Sequence, residues 1–132
     1  MTNTAKIFSD NCPYNNSYQT GAMRLLFVCS VGMLRSPTAQ VVASQRGHNA
    51  RAVGSDVDMA LIPLSVNLIN WADHIIFVNN ENYVQSCNEF DKIGYKEDII
   101  KKATIWNLPD DYSWGDNVLW RIIEDNLLKM GL

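Results

Sequence analysis

A cysteine, an arginine and a serine at fixed spacing form the pattern in this sequence that is best suited to chemistry. Cys29 follows an apolar run at 25–28, Arg35 lies six residues further on, and Ser36-Pro37 is typical of a helix start. A strand–loop–helix of this kind points backbone N–H groups at one spot over a helix N-terminus, which makes it a binding site for an anion. The same positive field stabilises a thiolate, so this loop can hold a nucleophilic sulfur and a phosphate group together.

Apolar runs that alternate with amphipathic stretches predict an α/β fold with a parallel sheet. The predicted strands lie at 24–28, 50–55, 74–78 and 103–107. The predicted helices lie at 37–45, 65–72, 80–90 and 116–130, with a short helix or turn within 91–102. Because ligands of such sheets bind beyond the carboxyl ends of the strands, Cys29 and the segment after the fourth strand can meet at one edge.

Length, charge and cysteine usage restrict the class of protein. At 132 residues the chain is long enough for one domain with its own core. We expect the polar residues 1–22 to be a flexible extension and residues 23–132 to form the domain. The net charge of −3 argues against nucleic acid or an anionic membrane surface as the main partner, and no apolar run is long enough to span a membrane. Three scattered cysteines, at positions 12, 29 and 87, favour a reducing, cytoplasmic location.

Several side chains outside this loop have interpretations that involve no chemistry. We expect His48 to be solvated and Cys87 to face the core. His74 beside Asp73 suggests a catalytic pair, but the direction of the strand places both at the edge opposite to Cys29. Helical spacing predicts that Thr38 faces outward and that the last helix buries Val118, Ile122, Ile123, Leu127 and Met130.

The segment from Cys29 to Pro37, CSVGMLRSP, resembles the signature of the low-molecular-weight protein tyrosine phosphatase family, a cysteine, five residues and then Arg-Ser-Pro. The chain is most similar to a short bacterial and phage branch of that family. That branch has sequence motifs similar to LRSPTA, WAD and PDDY, which lie here at 34–39, 71–73 and 109–112. The resemblance extends from about residue 23 to residue 132. It implies a three-layer fold, with a four-stranded parallel sheet in the order 2-1-3-4 and helices on both faces.

The resemblance also implies a role for each residue of the loop, with no cofactor and no metal. Cys29 is the nucleophile, and Arg35 adds a planar, two-pronged clamp on the phosphate. Ser36 can donate its hydroxyl to the thiolate and help the sulfur to leave, or serve only as the helix N-cap. The backbone amides expected to bind the phosphate oxygens are those of Ser30, Val31, Gly32, Met33, Leu34 and Arg35.

The general acid is expected in the motif PDDY, just before the last helix. The family has an aspartate before Pro-aromatic there; Asp110 aligns with the acid and Asp111 replaces the proline. Adjacent carboxylates disfavour each other's ionisation, which helps to keep one of them protonated, and we favour Asp110. The other interpretation is that both only form a turn after Pro109. Tyr112 and Trp114 could line a pocket for an aromatic leaving group, although Trp114 could equally pack on the last helix.

Three functions remain open on this sequence. The first is a cysteine-dependent phosphatase that acts through a phosphocysteine intermediate on a phosphotyrosine protein or a small aryl phosphate. The second is an arsenate reductase-like enzyme of the same fold, which needs resolving cysteines. Leu34 stands where the family can have a second cysteine, and this argues against the second function. The third is a catalytically weak module that binds phosphate or a phosphoprotein.

Overall fold

The fold is organised around a strand that is apolar on both faces. The structure is a computed structural model, and it describes residues 22–30, 35–108 and 117–132. Strand β1 spans Arg24–Cys29, and its residues 25–28 are completely buried. A parallel strand covered by helices on both sides requires such a continuous apolar run, because neither of its faces reaches water.

Three further strands pair with β1 and with one another in parallel. They are β2 (Asn49–Gly54), β3 (His74–Phe77) and β4 (Ala103–Ile105). The sheet order is β2-β1-β3-β4, which confirms the predicted α/β architecture and the order 2-1-3-4. Cys29 is in register with Gly54 of β2, so the carboxyl ends of the two strands lie side by side.

Helices cover both faces of the sheet and complete the three predicted layers. They are α1 (Arg35–Gln45), α2 (Val66–Trp71), α3 (Asn80–Asp91), α4 (Lys96–Lys102) and α5 (Asn117–Lys129). Helices α1 and α5 pack with Leu25, Phe27 and Cys29 of β1 on one face. Helices α2, α3 and α4 pack with Leu26 and Val28 on the other. The alternation of side chains along β1 thus divides the core into two clusters.

Two expectations about buried helix faces are wrong. Val118 is 51% exposed, whereas Leu119, Ile123 and Leu127 are fully buried and form the inner stripe of α5. Two adjacent apolar residues at the start of a helix fit the helical period almost equally well, and packing against β1 selects the second. Thr38 is also buried, because α1 packs between its neighbours in the cluster that contains β1 and α5.

The expectation that His48 is solvated is wrong as well. Its Nδ1 accepts a hydrogen bond from the backbone N–H of Met23 at 3.1 Å, so in the neutral ring the proton lies on Nε2. Nε2 is 3.2 Å from the carbonyl oxygen of Leu132, which also accepts from the Arg46 guanidinium at 3.0 Å. His48 therefore joins the chain before β1 to the residues after α5.

Asp73 and His74 lie at the amino end of β3, as expected, and away from Cys29 at the carboxyl end of β1. The Asp73 carboxylate accepts from the Arg24 backbone N–H at 2.8 Å and from its guanidinium at 3.1 Å. Burial raises the pKa of the Asp73 carboxyl, but these hydrogen bonds and the Arg24 charge outweigh burial and hold the pKa below its usual value of 3.8. The pair therefore ties the start of β1 to the start of β3.

The residues predicted to form the N-terminal extension lie outside the described residues, apart from residue 22. Within the described ranges, no helix is both long and apolar enough to cross a membrane.

We expect Asp73→Asn to lower the free energy of unfolding at pH 7 by about 0.5 kcal/mol, because the ion pair is partly exposed to water. A carboxyl whose pKa is depressed by folding stabilises the folded state above its unfolded pKa, and this contribution is lost as the pH falls through the folded pKa. Denaturant titrations should therefore show the difference from the wild type at neutral pH and a much smaller one at about pH 2. Asp125→Asn, at an exposed position of α5, is the control; a difference for Asp73→Asn that did not depend on pH would contradict this account.

Candidate active site

The Cys29 thiol lies at the carboxyl end of the central strand, against the first turn of α1. Cys29 is 4% exposed, and its Sγ is 2.9 Å from the Oγ of Ser36, at which distance either atom can be the donor. Helix α1 begins at Arg35, so Ser36 lies inside the helix and is not its N-cap. Its hydroxyl is also 3.5 Å from the carbonyl oxygen of Val53 on β2. When the sulfur is a thiolate, the Ser36 hydroxyl is the only one of the two that can donate, and it then stabilises the negative charge.

The main chain at Cys29 is fixed by the segment that follows β2. The Ser55 N–H donates to the Cys29 carbonyl at 2.7 Å, and the Asp56 N–H donates to the Ser30 carbonyl at 2.9 Å. These bonds continue the β1–β2 pairing past the ends of both strands. These two bonds therefore fix the main chain of Cys29 and Ser30 against the segment that follows β2.

Arg35 reaches from the start of α1 to the segment that follows β4. Its Nη1 donates to the carbonyl oxygen of Leu108 at 3.0 Å. The Leu108 N–H donates in turn to the Val78 carbonyl at 2.6 Å, which extends the β3–β4 pairing. Asn107 has a φ of 54°, a left-handed conformation that asparagine tolerates better than most residues, and this turns the chain after β4. The guanidinium thus meets the segment after β4, as the parallel topology predicts.

The structure brings four of the predicted site residues together: Cys29, Ser30, Arg35 and Ser36. The other eight lie outside the described residues, and their roles remain predictions; they are Val31, Gly32, Met33, Leu34, Asp110, Asp111, Tyr112 and Trp114. The described part of the site can hold an anion near a sulfur, because a guanidinium and the N-terminus of an 11-residue helix supply positive charge. The first turn of α1 contains no acidic residue that would oppose this field.

A buried asparagine under the site was missed by the sequence analysis. Asn82 lies in the first turn of α3 and is 1% exposed. Its Nδ2 donates to Ser30 Oγ at 3.1 Å and to Ser55 Oγ at 3.2 Å, and Ser55 Oγ donates to Gln85 Oε1 at 2.6 Å. A polar residue at a helix start usually indicates a solvated turn. The available signal was its place after β3, at the edge where the sheet binds ligands.

Cys87 faces the core, as predicted, but on the opposite side of the sheet from Cys29. It packs from α3 against the cluster that contains Leu26 and Val28, whereas Cys29 belongs to the cluster under α1 and α5. Burial raises the pKa of the Cys87 thiol, although a hydrogen bond with Tyr83 acts in the other direction. The sheet separates the two sulfurs, so Cys87 is badly placed to resolve an adduct on Cys29.

No cluster of three or more histidine, cysteine or acidic side chains suited to a metal ion occurs in the part of the chain that the structure describes.

Comparison with solved structures finds this fold in bacterial phosphatases. The YwlE arginine phosphatase from Geobacillus stearothermophilus aligns with a TM-score of 0.58 at 16% identity, over 82% of this chain and 87% of that one. Vibrio vulnificus Wzb in complex with benzylphosphonate aligns with a TM-score of 0.61 at 13% identity, over 85% of this chain and 100% of that one. The tyrosine phosphatase Wzb from Escherichia coli K30, in complex with phosphate, gives 0.54 at 14% identity, over 83% and 96% of the two chains. No family model and no curated protein sequence matches the chain.

We expect Cys87 to resist iodoacetamide in the folded protein, because burial hinders access and the raised pKa of the thiol leaves little thiolate. Peptide mass spectrometry after a short treatment at about pH 8 should find Cys87 unmodified, and treatment in denaturant should modify it fully. Modification of Cys87 in the folded protein at the rate of a small free thiol would show that the cluster around it opens readily.

Proposed function

Because the chain has the fold of the low-molecular-weight protein tyrosine phosphatases, we propose that it is a cysteine-dependent phosphomonoester hydrolase that acts on phosphotyrosine. The observation that supports this most directly is the buried Cys29 sulfur, 2.9 Å from the Ser36 hydroxyl at the carboxyl end of the central strand. Two of the similar structures hold tetrahedral oxyanions, phosphate and benzylphosphonate. A site of this kind above Cys29 would place phosphorus next to the sulfur.

In the first step, the Cys29 thiolate attacks phosphorus. The S–P bond forms while the bond from phosphorus to the leaving oxygen breaks, which yields a phosphocysteine and a free phenol. Arg35 and the backbone amides of residues 30–35 would bind the three equatorial oxygens throughout. A guanidinium suits this role because it presents two parallel N–H groups to two oxygens and stays charged at every physiological pH.

The leaving oxygen needs a proton, and Asp110 would supply it. A carboxylic acid at the mouth of the site protonates the oxygen as the P–O bond breaks, which avoids release of a phenolate. The described geometry supports this assignment through the contact of Arg35 with Leu108, two residues before Asp110. Asp111 is the alternative acid, and the two adjacent carboxyls would help to keep one proton between them.

In the second step, water attacks the phosphocysteine. The same carboxylate takes a proton from the water as the new O–P bond forms, and the S–P bond breaks to release inorganic phosphate and the thiolate. Ser36 would donate its hydroxyl to the departing sulfur, for which a distance of 2.9 Å is suitable. A hydroxyl at this position favours the charged sulfur in both steps.

We propose phosphotyrosine as the substrate class because the chain offers aromatic side chains, Tyr112 and Trp114, close in sequence to the proposed acid. Vibrio vulnificus Wzb binds benzylphosphonate, in which an aromatic ring is joined to a phosphonate. Small aryl phosphates would be accepted for the same reason. The proposal includes a cytoplasmic location, because a free thiolate nucleophile must stay reduced.

The two other functions receive less support. An arsenate reductase-like reaction needs a second thiol, and Cys87 lies across the sheet in the other core cluster. A module that only binds phosphate would not need a hydroxyl placed to stabilise the sulfur. Hydrolysis of a phosphomonoester is therefore the function that the described geometry supports best.

We expect Cys29→Ser to reduce hydrolysis of a phosphotyrosine peptide by more than about a thousandfold, because a serine hydroxyl at neutral pH is a far weaker nucleophile than a thiolate. Binding of inorganic phosphate should remain measurable by calorimetry, since its proposed ligands are unchanged. Cys87→Ser is the matched control and should hydrolyse the peptide at the rate of the wild type. Turnover by Cys29→Ser near the rate of the wild type would reject the mechanism.

We expect Asp110→Ala to slow hydrolysis of tyrosine phosphate about a hundredfold and that of p-nitrophenyl phosphate much less. A good leaving group departs without a proton, so only the poor one depends on the acid. The matched control is Asp111→Ala, assayed with the same two substrates. If Asp111→Ala gave the larger dependence on the leaving group, Asp111 would be the acid; equal slowing of both substrates by Asp110→Ala would remove Asp110 from this role.

A further inference from the structure

A single side-chain amide joins the two loops that leave β1 and β2. The two hydrogens of Asn82 Nδ2 are matched by two acceptors, Ser30 Oγ at 3.1 Å and Ser55 Oγ at 3.2 Å. Ser30 directly follows Cys29, and Ser55 donates its backbone N–H to the Cys29 carbonyl at 2.7 Å. Both partners of Asn82 are therefore attached to the main chain of the nucleophile.

The position of Asn82 costs free energy that its hydrogen bonds must offset. The residue is 1% exposed, and its Oδ1 has no hydrogen-bond partner among the described residues. A buried polar atom without a partner is destabilising, and an apolar side chain of similar size would avoid that cost. The feature that only the amide provides is the pair of N–H donors directed at the two serines.

Asn82 is itself held firmly by the start of its helix. Its backbone N–H donates to Asn79 Oδ1 at 3.0 Å, which is the N-cap interaction of α3. The ordered first turn of a 12-residue helix is a more rigid support than a loop. The amide is thus fixed by α3, while the serines it binds belong to chain segments without regular structure.

We propose that Asn82 is a positioning residue of the phosphate site. Its amide binds the side chain of Ser30, while the Asp56 N–H donates to the main-chain carbonyl of Ser30 at 2.9 Å. Residue 30 is thereby fixed on both sides, which keeps its backbone N–H, the first amide after Cys29, in place for a bound oxyanion. This inference rests on the proposed function for the identity of the anion, but not on turnover.

The test uses two measurements besides activity. Inorganic phosphate should protect Cys29 from alkylation. Iodoacetate is an anion and iodoacetamide is its neutral analogue, so a positively polarised site should give a higher iodoacetate-to-iodoacetamide rate ratio at Cys29 than a small free thiol does. We expect Asn82→Ala to weaken protection by phosphate about tenfold, to lower the iodoacetate-to-iodoacetamide rate ratio at Cys29, and to reduce kcat/KM about tenfold.

Two variants that leave the Asn82 contacts intact separate positioning from stability. Ser65→Ala removes the N-cap of α2 and lowers the melting temperature without altering Asn82 or the N-cap of α3. Ser86→Ala removes a buried hydroxyl that has no partner among the described residues, one turn further along α3. Both variants should keep the phosphate protection and the alkylation ratio of the wild type.

A double-mutant cycle tests whether Asn82 acts through Ser30. Ser30→Ala removes the acceptor of the same bond at an exposed residue, so this variant should fold even if Asn82→Ala does not. We expect Ser30→Ala alone to reproduce part of the loss in phosphate protection, and Asn82→Ala to cost less in the Ser30→Ala background than in the wild type.

Each outcome decides the inference. Unchanged phosphate protection in Asn82→Ala and Ser30→Ala, or an equal loss in Ser65→Ala, would overturn it. A wild type in which phosphate does not protect Cys29 would overturn it too, because there would be no anion site to position. A wild type that is protected by phosphate but hydrolyses no aryl phosphate would reject the proposed function alone, and the comparison between Asn82→Ala and its controls would still decide the role of Asn82.

Discussion

The structure depends on the burial of β1 between two neighbouring strands and under helices on both faces. Residues 25–28 of this strand are completely buried, and the strand pairs with β2 on one side and β3 on the other. Because its position is fixed from four directions, the residue at its carboxyl end cannot shift without disturbing the core. Cys29 is that residue, and truncation to alanine of Phe27, two residues earlier on the same face of the strand, would cost about 3–5 kcal/mol.

The described part of the site consists mainly of main-chain atoms and small polar side chains. The carbonyls of Cys29, Ser30 and Leu108 are each held by a hydrogen bond, from Ser55, Asp56 and Arg35. Ser36 and Asn82 reach the same region from the first turns of two helices on opposite faces of the sheet. Dipoles that are held in place in this way need not rearrange when a nearby group becomes charged.

The sequence was sufficient for the elements with strong local signals. The apolar run of β1 and the later Ser-Pro predicted a strand and a helix, and the alternation of elements predicted the parallel sheet. What it could not provide were choices made by tertiary packing, such as Leu119 rather than Val118 on the inner side of α5. Asn82 was missed and His48 was misjudged for a related reason: a polar residue at a turn has the same local pattern whether it faces water or bridges two distant segments.

The hydrogen bond between Arg35 and Leu108 has a consequence for how substrate specificity could change among proteins with this fold. The acceptor is a peptide carbonyl, which every residue at that position possesses, so substitution there leaves the link intact. The stretch that begins at residue 109 can therefore vary in length and composition while its point of departure from the sheet stays constant. Evolution could in this way change which substrates fit the proposed site without displacing the guanidinium that is proposed to bind the anion.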